Sequence, residues 1–127
     1  MEHLLASLAR LKETWPPSPW EWDARFEAVA SSFAIALEPE VRESARHAFP
    51  RGWTAKSIDT APEPFRELAA RTSLRSRQRV LGGDELTAPA LFGLWWPWGN
   101  AERITLRIGI MNATADANAR LRKAFGV

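Results

Sequence analysis

The sequence predicts an α+β fold in which helices pack on one face of a small three-stranded antiparallel meander, in the element order ααααβββα. Two observations carry most of this prediction. Leucines recur at helical spacing over residues 4–11, and apolar stripes of the same period follow. Two extended runs, residues 90–96 and 103–110, then flank a turn rich in glycine and asparagine, which is typical of a β-hairpin.

Length and composition predict a single cytoplasmic domain over residues 1–127. The apolar fraction of 46% and the charged fraction of 25% are those of an ordinary globular chain. Glu2, Arg10 and Glu13 interrupt the leucines of the first segment, which therefore lacks the apolar core of a signal peptide. No stretch has the length needed to cross a bilayer, so no membrane association is expected.

The net charge and the absence of cysteine limit the kinds of site that this chain can form. Without cysteine there is no disulfide framework, no thiol nucleophile and no cysteine zinc site. The net charge is only +2, from 14 Arg and 3 Lys against 15 acidic residues. A general polyanion-binding surface is not expected from this sum, and the positions of the arginines matter more.

The first half of the chain predicts four helices. After the leucine helix, Ser18 to Glu21 form a capping box, so a second helix is expected to begin there. Its apolar stripe consists of Trp22, Phe26, Val29, Ala30, Phe33 and Leu37. Pro39 disfavours helical geometry at the residue before it, so a third helix is expected over residues 40–49. A capping pattern at Thr60 predicts a fourth helix that ends near Arg71.

The second half predicts three strands and a last helix. Arg75, Arg77 and Arg79 alternate with less charged residues over 74–80, which is the period of a strand. The two strands of the hairpin follow, and Thr114 then caps a helix that ends at Gly126. If the arginine strand joins the hairpin, the three strands form one sheet with an open face.

The register of the hairpin decides which tryptophans are exposed. An odd-length loop places Phe92, Leu94 and Trp96 beside the isoleucines of the second strand, whereas an even-length loop places residues 91, 93 and 95 there. The odd loop is favoured because it buries more apolar surface. In that register Trp95 shares the exposed face with Arg103 and Arg107.

These residues predict a partner-binding surface on the hairpin, because exposed tryptophan and arginine are enriched at binding hot spots. The predicted partner-binding residues are Trp95, Trp98, Arg103, Arg107, Arg75, Arg77 and Arg79. The same surface also suits single-stranded nucleic acid, with bases stacked on indoles and phosphates held by guanidinium groups. A third interpretation is an ordinary solvated sheet face on which arginine stems cover Trp95 by cation–π contact.

An enzyme is the weaker hypothesis. His3 lies near the start of the chain, and His47 is expected to pair with Glu43 on a charged helix face. A loop and a helix could bring the carboxylates of Asp59 and Glu63 together, but Asp59 is better explained as assisting the helix start with Thr60. No metal-ligand spacing, nucleophile motif or phosphate-binding loop occurs, so no metal and no cofactor are expected.

The sequence therefore predicts a non-enzymatic protein-interaction domain that uses a Trp/Arg-rich hairpin surface. An accessory, immunity or chaperone-like subunit of a bacterial-type cytoplasmic protein fits this description, as does a self-associating homodimer. Single-stranded nucleic-acid binding and a small enzyme with a carboxylate or histidine site are the alternatives.

Overall fold

A computed structural model describes residues 1–16, 19–87 and 89–127. Within them the chain forms four α-helices and six strands. In chain order these are α1 (Glu2–Thr14), β1 (Glu21–Asp23), β2 (Ala28–Ala34), α2 (Glu38–Ala45), β3 (Arg51–Thr54), α3 (Glu63–Thr72), β4 (Arg79–Gly82), β5 (Leu91–Pro97), β6 (Arg103–Ile110) and α4 (Ala115–Phe125). Short 3₁₀ turns lie at Ile35–Leu37 and Ile58–Thr60.

The six strands form one antiparallel sheet in the order β1-β2-β6-β5-β4-β3. The predicted three-stranded meander with the order ααααβββα is therefore wrong. Strands β4, β5 and β6 do form a meander, but β2 pairs with one side of it and β3 with the other. The fold remains a mixture of helices and an antiparallel sheet.

Helices cover both faces of the sheet, not one. The first face carries α1, α2 and α4, and its core includes Leu8, Phe33, Trp95 and Leu106. The second face carries α3, which buries Phe65 against β4 and β5. The part of the second face formed by β1, β2 and β6 has no helix over it among the described residues.

The predicted second helix is a β-hairpin. Trp22 lies on β1 and pairs with Val29 on β2, and residues 24–27 form the turn between them. The apolar spacing does not distinguish a helix from a strand here. Residues four apart, such as Val29 and Phe33, lie on the same side of the chain in both. All seven residues of β2 pair with β6, and this pairing makes the segment a strand. Ser18 of the expected capping box lies outside the described residues.

The other helices are close to the prediction. The leucine helix is α1, and the last helix is α4, whose Thr114 hydroxyl accepts a hydrogen bond from the Ala117 amide at 3.1 Å. Helix α2 begins at Glu38, not after Pro39, because proline is tolerated in the first turn of a helix. The fourth predicted helix is α3, although its N-cap is Pro62.

The predicted arginine strand is mostly a turn. The Arg75 amide donates to the Gln78 side chain at 2.8 Å, the Gln78 amide donates back to the Arg75 carbonyl, and Arg77 has a φ of 74°. Strand β4 begins only at Arg79. The hydrogen bonds between Arg75 and Gln78 thus form a turn where the alternating residues predicted a strand.

The favoured hairpin register is also wrong. Pro97 pairs with Ile104, Trp95 with Leu106 and Gly93 with Ile108, so six residues connect the paired ends. Trp95 therefore faces the first core and is only 4% exposed. This register leaves no large apolar surface exposed, because the second face has a core of its own, in which Phe92 and Leu94 are buried beneath α3.

No helix within the described ranges combines the length and apolar character required to traverse a bilayer.

Candidate interaction surface

Trp98 is an exposed indole held in a fixed position. It is the first residue after β5, and its amide donates to the Arg103 carbonyl at 2.8 Å. The indole Nε1 donates to the Thr105 hydroxyl at 2.9 Å, and the Arg103 guanidinium carbon lies 5.6 Å from the ring centroid. The side chain nevertheless stays 44% exposed. A hydrogen bond and a cation–π contact thus orient an aromatic surface that solvent still reaches.

A short polar network beneath the indole supports this orientation. The Thr105 and Ser32 hydroxyls lie 2.7 Å apart, and the Arg103 Nη2 donates to the Ser32 carbonyl at 3.0 Å. These bonds connect β2 and β6 under Trp98. Arg103 has no carboxylate within ion-pair distance in the described part of the chain, so donors of its guanidinium are available to another group.

Ile35 is a second exposed hydrophobic residue at the same end of the sheet. Its amide donates to the Glu102 carbonyl at 2.8 Å, which continues the β2–β6 pairing by one residue. Ile35 is 42% exposed, and the alanines on either side of it are exposed as well. Ile35 and Trp98 are the large hydrophobic residues with high exposure among those described. We call Ala34, Ile35, Ala36 and Trp98 the hairpin-end patch.

A layer of long side chains lies beside Trp98 on the uncovered half of the second face. The Arg107 Nε donates to the Asp23 carboxylate at 2.9 Å. Its guanidinium carbon lies 5.2 Å from the Trp96 ring centroid and 4.8 Å from that of Phe26, and the two rings meet edge to face. Side chains thus cover this part of the sheet where no helix does.

The Asp23 carboxylate is stabilised in its charged form. Burial alone raises the pKa of this carboxyl, but the hydrogen bond and positive charge of Arg107 outweigh burial, with help from the amide and charge of Arg25. The net result is a pKa below the usual aspartate value. The Arg107–Asp23 pair is therefore ionised at neutral pH, and Arg107 is already partnered within the chain.

A cleft of about 730 Å³ adjoins this layer, between α3 and the turn that joins β1 to β2. Its lining includes Leu68 and Met111, which are buried, and Arg25 and Arg71, which are exposed at its rim. Glu27 also lines the cleft, so its charged lining combines two arginines with one carboxylate.

The predicted site residues do not share one surface. Trp98 and Arg103 lie together at the end of the hairpin, and Arg107 lies nearby on the same face. Trp95 is in the first core, and Arg79 pairs with it on the other face of the sheet. Arg75 and Arg77 are exposed in the turn before β4. The expected platform of Trp95 with Arg103 and Arg107 is thus not formed.

Sequence reasoning missed several residues of this surface. Ile35 was expected on a helix, and Asp23 was not paired with any arginine. Trp96 was expected beside the isoleucines of β6, whereas it packs against the second core under Arg107, and its Nε1 is buried without a hydrogen-bond partner among the described residues. The two sides of β2 do not separate into polar and apolar residues, so this segment has only a weak strand signal in the sequence.

The candidate enzymatic residues are dispersed. His3 Nε2 lies 3.8 Å from Glu85 Oε1, and both side chains are more than half exposed. Glu43 pairs with Arg46 and not with His47 as expected. Within residues 1–16, 19–87 and 89–127 no three His, Asp or Glu side chains gather in a way that could hold a metal ion.

Comparison with protein-family models, with curated proteins and with solved structures finds no match for this chain.

Proposed function

We propose that this chain is a non-enzymatic protein-interaction domain that binds a partner protein through the hairpin-end patch. The observation that carries the proposal is that Trp98 is 44% exposed although a hydrogen bond to Thr105 and the Arg103 guanidinium hold it in place. A side chain that is ordered before binding loses little conformational entropy on binding, so its contacts contribute more fully to affinity.

The chemistry around the patch suits one kind of partner surface. Trp98 and Ile35 offer two apolar contacts, and Arg103 adds a guanidinium that has no carboxylate partner among the described residues. The matching surface is an apolar side chain flanked by an aspartate or glutamate. A partner of this composition gains both apolar burial and a charge-assisted hydrogen bond at one place.

This proposal places the domain in the cytoplasm, as an accessory, immunity or chaperone-like subunit. Single-stranded nucleic acid is a less suitable ligand, because Trp95 is buried and Arg79 lies on the other face from Arg103. A basic, aromatic track of the kind that follows a nucleic-acid strand would need these residues together.

Site-specific photo-crosslinking tests the proposal. A photoreactive amino acid replaces Ile35 in one protein and the exposed Lys56, at the far edge of the sheet, in a matched control. The position 35 probe is expected to form an adduct with a single partner in a lysate, and the position 56 probe is not. Adding Trp98→Ala to the position 35 protein should remove the adduct, and Arg103→Gln should make it weaker and less salt-sensitive.

Equal adducts from positions 35 and 56, or an adduct that persists with Trp98→Ala, would contradict the proposal. An adduct with twice the mass of the chain would show self-association and would overturn the assignment of a different protein as partner. Circular dichroism of each variant checks that the fold is retained.

A further inference from the structure

The outer edge of β2 is only partly paired. Strand β1 pairs with β2 as far as Ala30, and the rest of β2 extends past the end of β1. The Ile35 amide donates to the Glu102 carbonyl and so continues the bonding between β2 and β6. Hydrogen bonds of an antiparallel pair involve every second residue, so Ser32 and Ala34 direct their backbone groups away from β6. This end of β2 is therefore a sheet edge.

Two amide donors at this edge have no acceptor. The Ser32 carbonyl accepts from Arg103 Nη2 at 3.0 Å, and the Ala34 carbonyl accepts the first hydrogen bond of the 3₁₀ turn Ile35–Leu37. The amides of Ser32 and Ala34 have no hydrogen-bond partner within residues 1–16, 19–87 and 89–127. Amides on alternate residues of a strand lie about 7 Å apart, which is the repeat of an extended chain and too far for the two oxygens of one carboxylate.

Exposed hydrophobic side chains lie on both sides of this edge. Trp98 is on the second face, where its indole donates to the Thr105 hydroxyl, which is 2.7 Å from the Ser32 hydroxyl. Side chains alternate along a strand, so Ile35, the residue after Ala34, is directed to the first face. An extended segment also presents its side chains to two faces in turn. One added strand can therefore contact Trp98 with one residue and Ile35 with the next.

We propose that the partner protein binds as an added β-strand along Ser32 and Ala34. This inference rests on the proposed function, because it states how the partner of the hairpin-end patch is held. An unpaired sheet edge is a template for another strand, and carbonyls of the partner segment accept from the two amides. An acidic side chain of that segment on the second face meets the Arg103 guanidinium, and an apolar one on the first face meets Ile35.

Proline at position 34 tests strand addition. Ala34 has a φ of −67° and a ψ of 145°, which proline adopts without strain, and its amide takes no part in pairing with β6. Ala34→Pro should therefore keep the fold while it removes one donor and places a ring where the new strand would lie. Its affinity for the protein captured through position 35, measured by calorimetry, should fall about tenfold or more. Ala34→Ser keeps the amide and is the matched comparison, which should lose far less affinity.

A synthetic peptide of eight residues, in which valine and glutamate alternate, probes the edge without a captured partner. In an added strand its glutamates face Arg103 while its valines face Ile35. The amide resonances of Ser32 and Ala34 should shift in a saturable manner, and more than that of Gly52 in β3 at the other edge of the sheet. The same peptide with lysine in place of glutamate should bind more weakly.

The outcomes separate strand addition from the proposed function. Affinity that falls in Trp98→Ala but not in Ala34→Pro, or peptide shifts no larger at Ser32 and Ala34 than at Gly52, would overturn strand addition and leave the proposed function standing. Affinity that falls in Ala34→Pro but not in Trp98→Ala would support strand addition and contradict the role of Trp98 as the anchor. Unchanged affinity in both variants would overturn both proposals.

Discussion

Replacing Trp95 with alanine is expected to destabilise the protein strongly. The side chain is 4% exposed and contacts Phe33 with ring centroids 5.6 Å apart. Burial of roughly 200 Å² at about 25 cal/mol per Å² corresponds to about 5 kcal/mol. Measured Trp→Ala changes in protein cores cost about 3–5 kcal/mol. For a chain of 127 residues, that loss lowers the unfolding temperature by about 12–20 °C.

Urea unfolding followed by tryptophan fluorescence and circular dichroism measures this change. Trp98→Ala is the comparison, and it should cost only about 1–2 kcal/mol because it removes one hydrogen bond and a surface that is already partly solvated. A smaller loss for Trp95→Ala than for Trp98→Ala would refute the reasoning. It would mean that the hairpin has the odd register and that Trp95 faces solvent.

Two further substitutions test the uncovered half of the sheet. A Cβ at Gly109 would collide with the ring of its cross-strand neighbour Phe92, so Gly109→Ala should cost about 1–3 kcal/mol in urea unfolding. Gly99→Ala, which has open space around it, should change stability far less, and equal effects would contradict this packing. Because Arg107 holds the pKa of Asp23 below its usual value, the carboxylate contributes stability that is present above the unfolded pKa of about 4 and is lost as the pH falls through the lower folded pKa. Asp23→Asn should therefore destabilise the protein at pH 7, and the difference should shrink in unfolding experiments below about pH 4, whereas a constant difference would exclude the ion pair as its cause.

Elements with strong local signals could be predicted from the sequence. A few neighbouring residues are enough to assign each of these elements. They are the leucine helix α1, helix α4 with its Thr114 cap, and the two strands of the β5–β6 hairpin. Segment 22–37 could not be assigned this way, because its four-residue apolar spacing fits both a helix and a strand. Its strand character depends on β6, which lies some 70 residues further along the chain.

The candidate site was predicted only in part for a related reason. Trp98 and Arg103 follow from the hairpin turn, which is local. The side of the sheet on which Trp95 lies depends on whether the second face has a core of its own. That core forms when α3 packs on Phe92 and Leu94, which the hairpin sequence alone does not show. Ile35 becomes a surface residue because β2 ends one residue before it. Neither the side on which Trp95 lies nor the exposure of Ile35 can be predicted from neighbouring residues in the sequence.

The most direct test of the proposed interaction is the dissociation constant of the crosslinked partner, purified and titrated by calorimetry against the wild type and Trp98→Ala. An anchor residue of this kind contributes at least about 2 kcal/mol, so the variant should bind about 30-fold more weakly while its circular dichroism spectrum is unchanged. A folded Trp98→Ala variant that binds the partner with the affinity of the wild type would contradict the assignment of the hairpin-end patch.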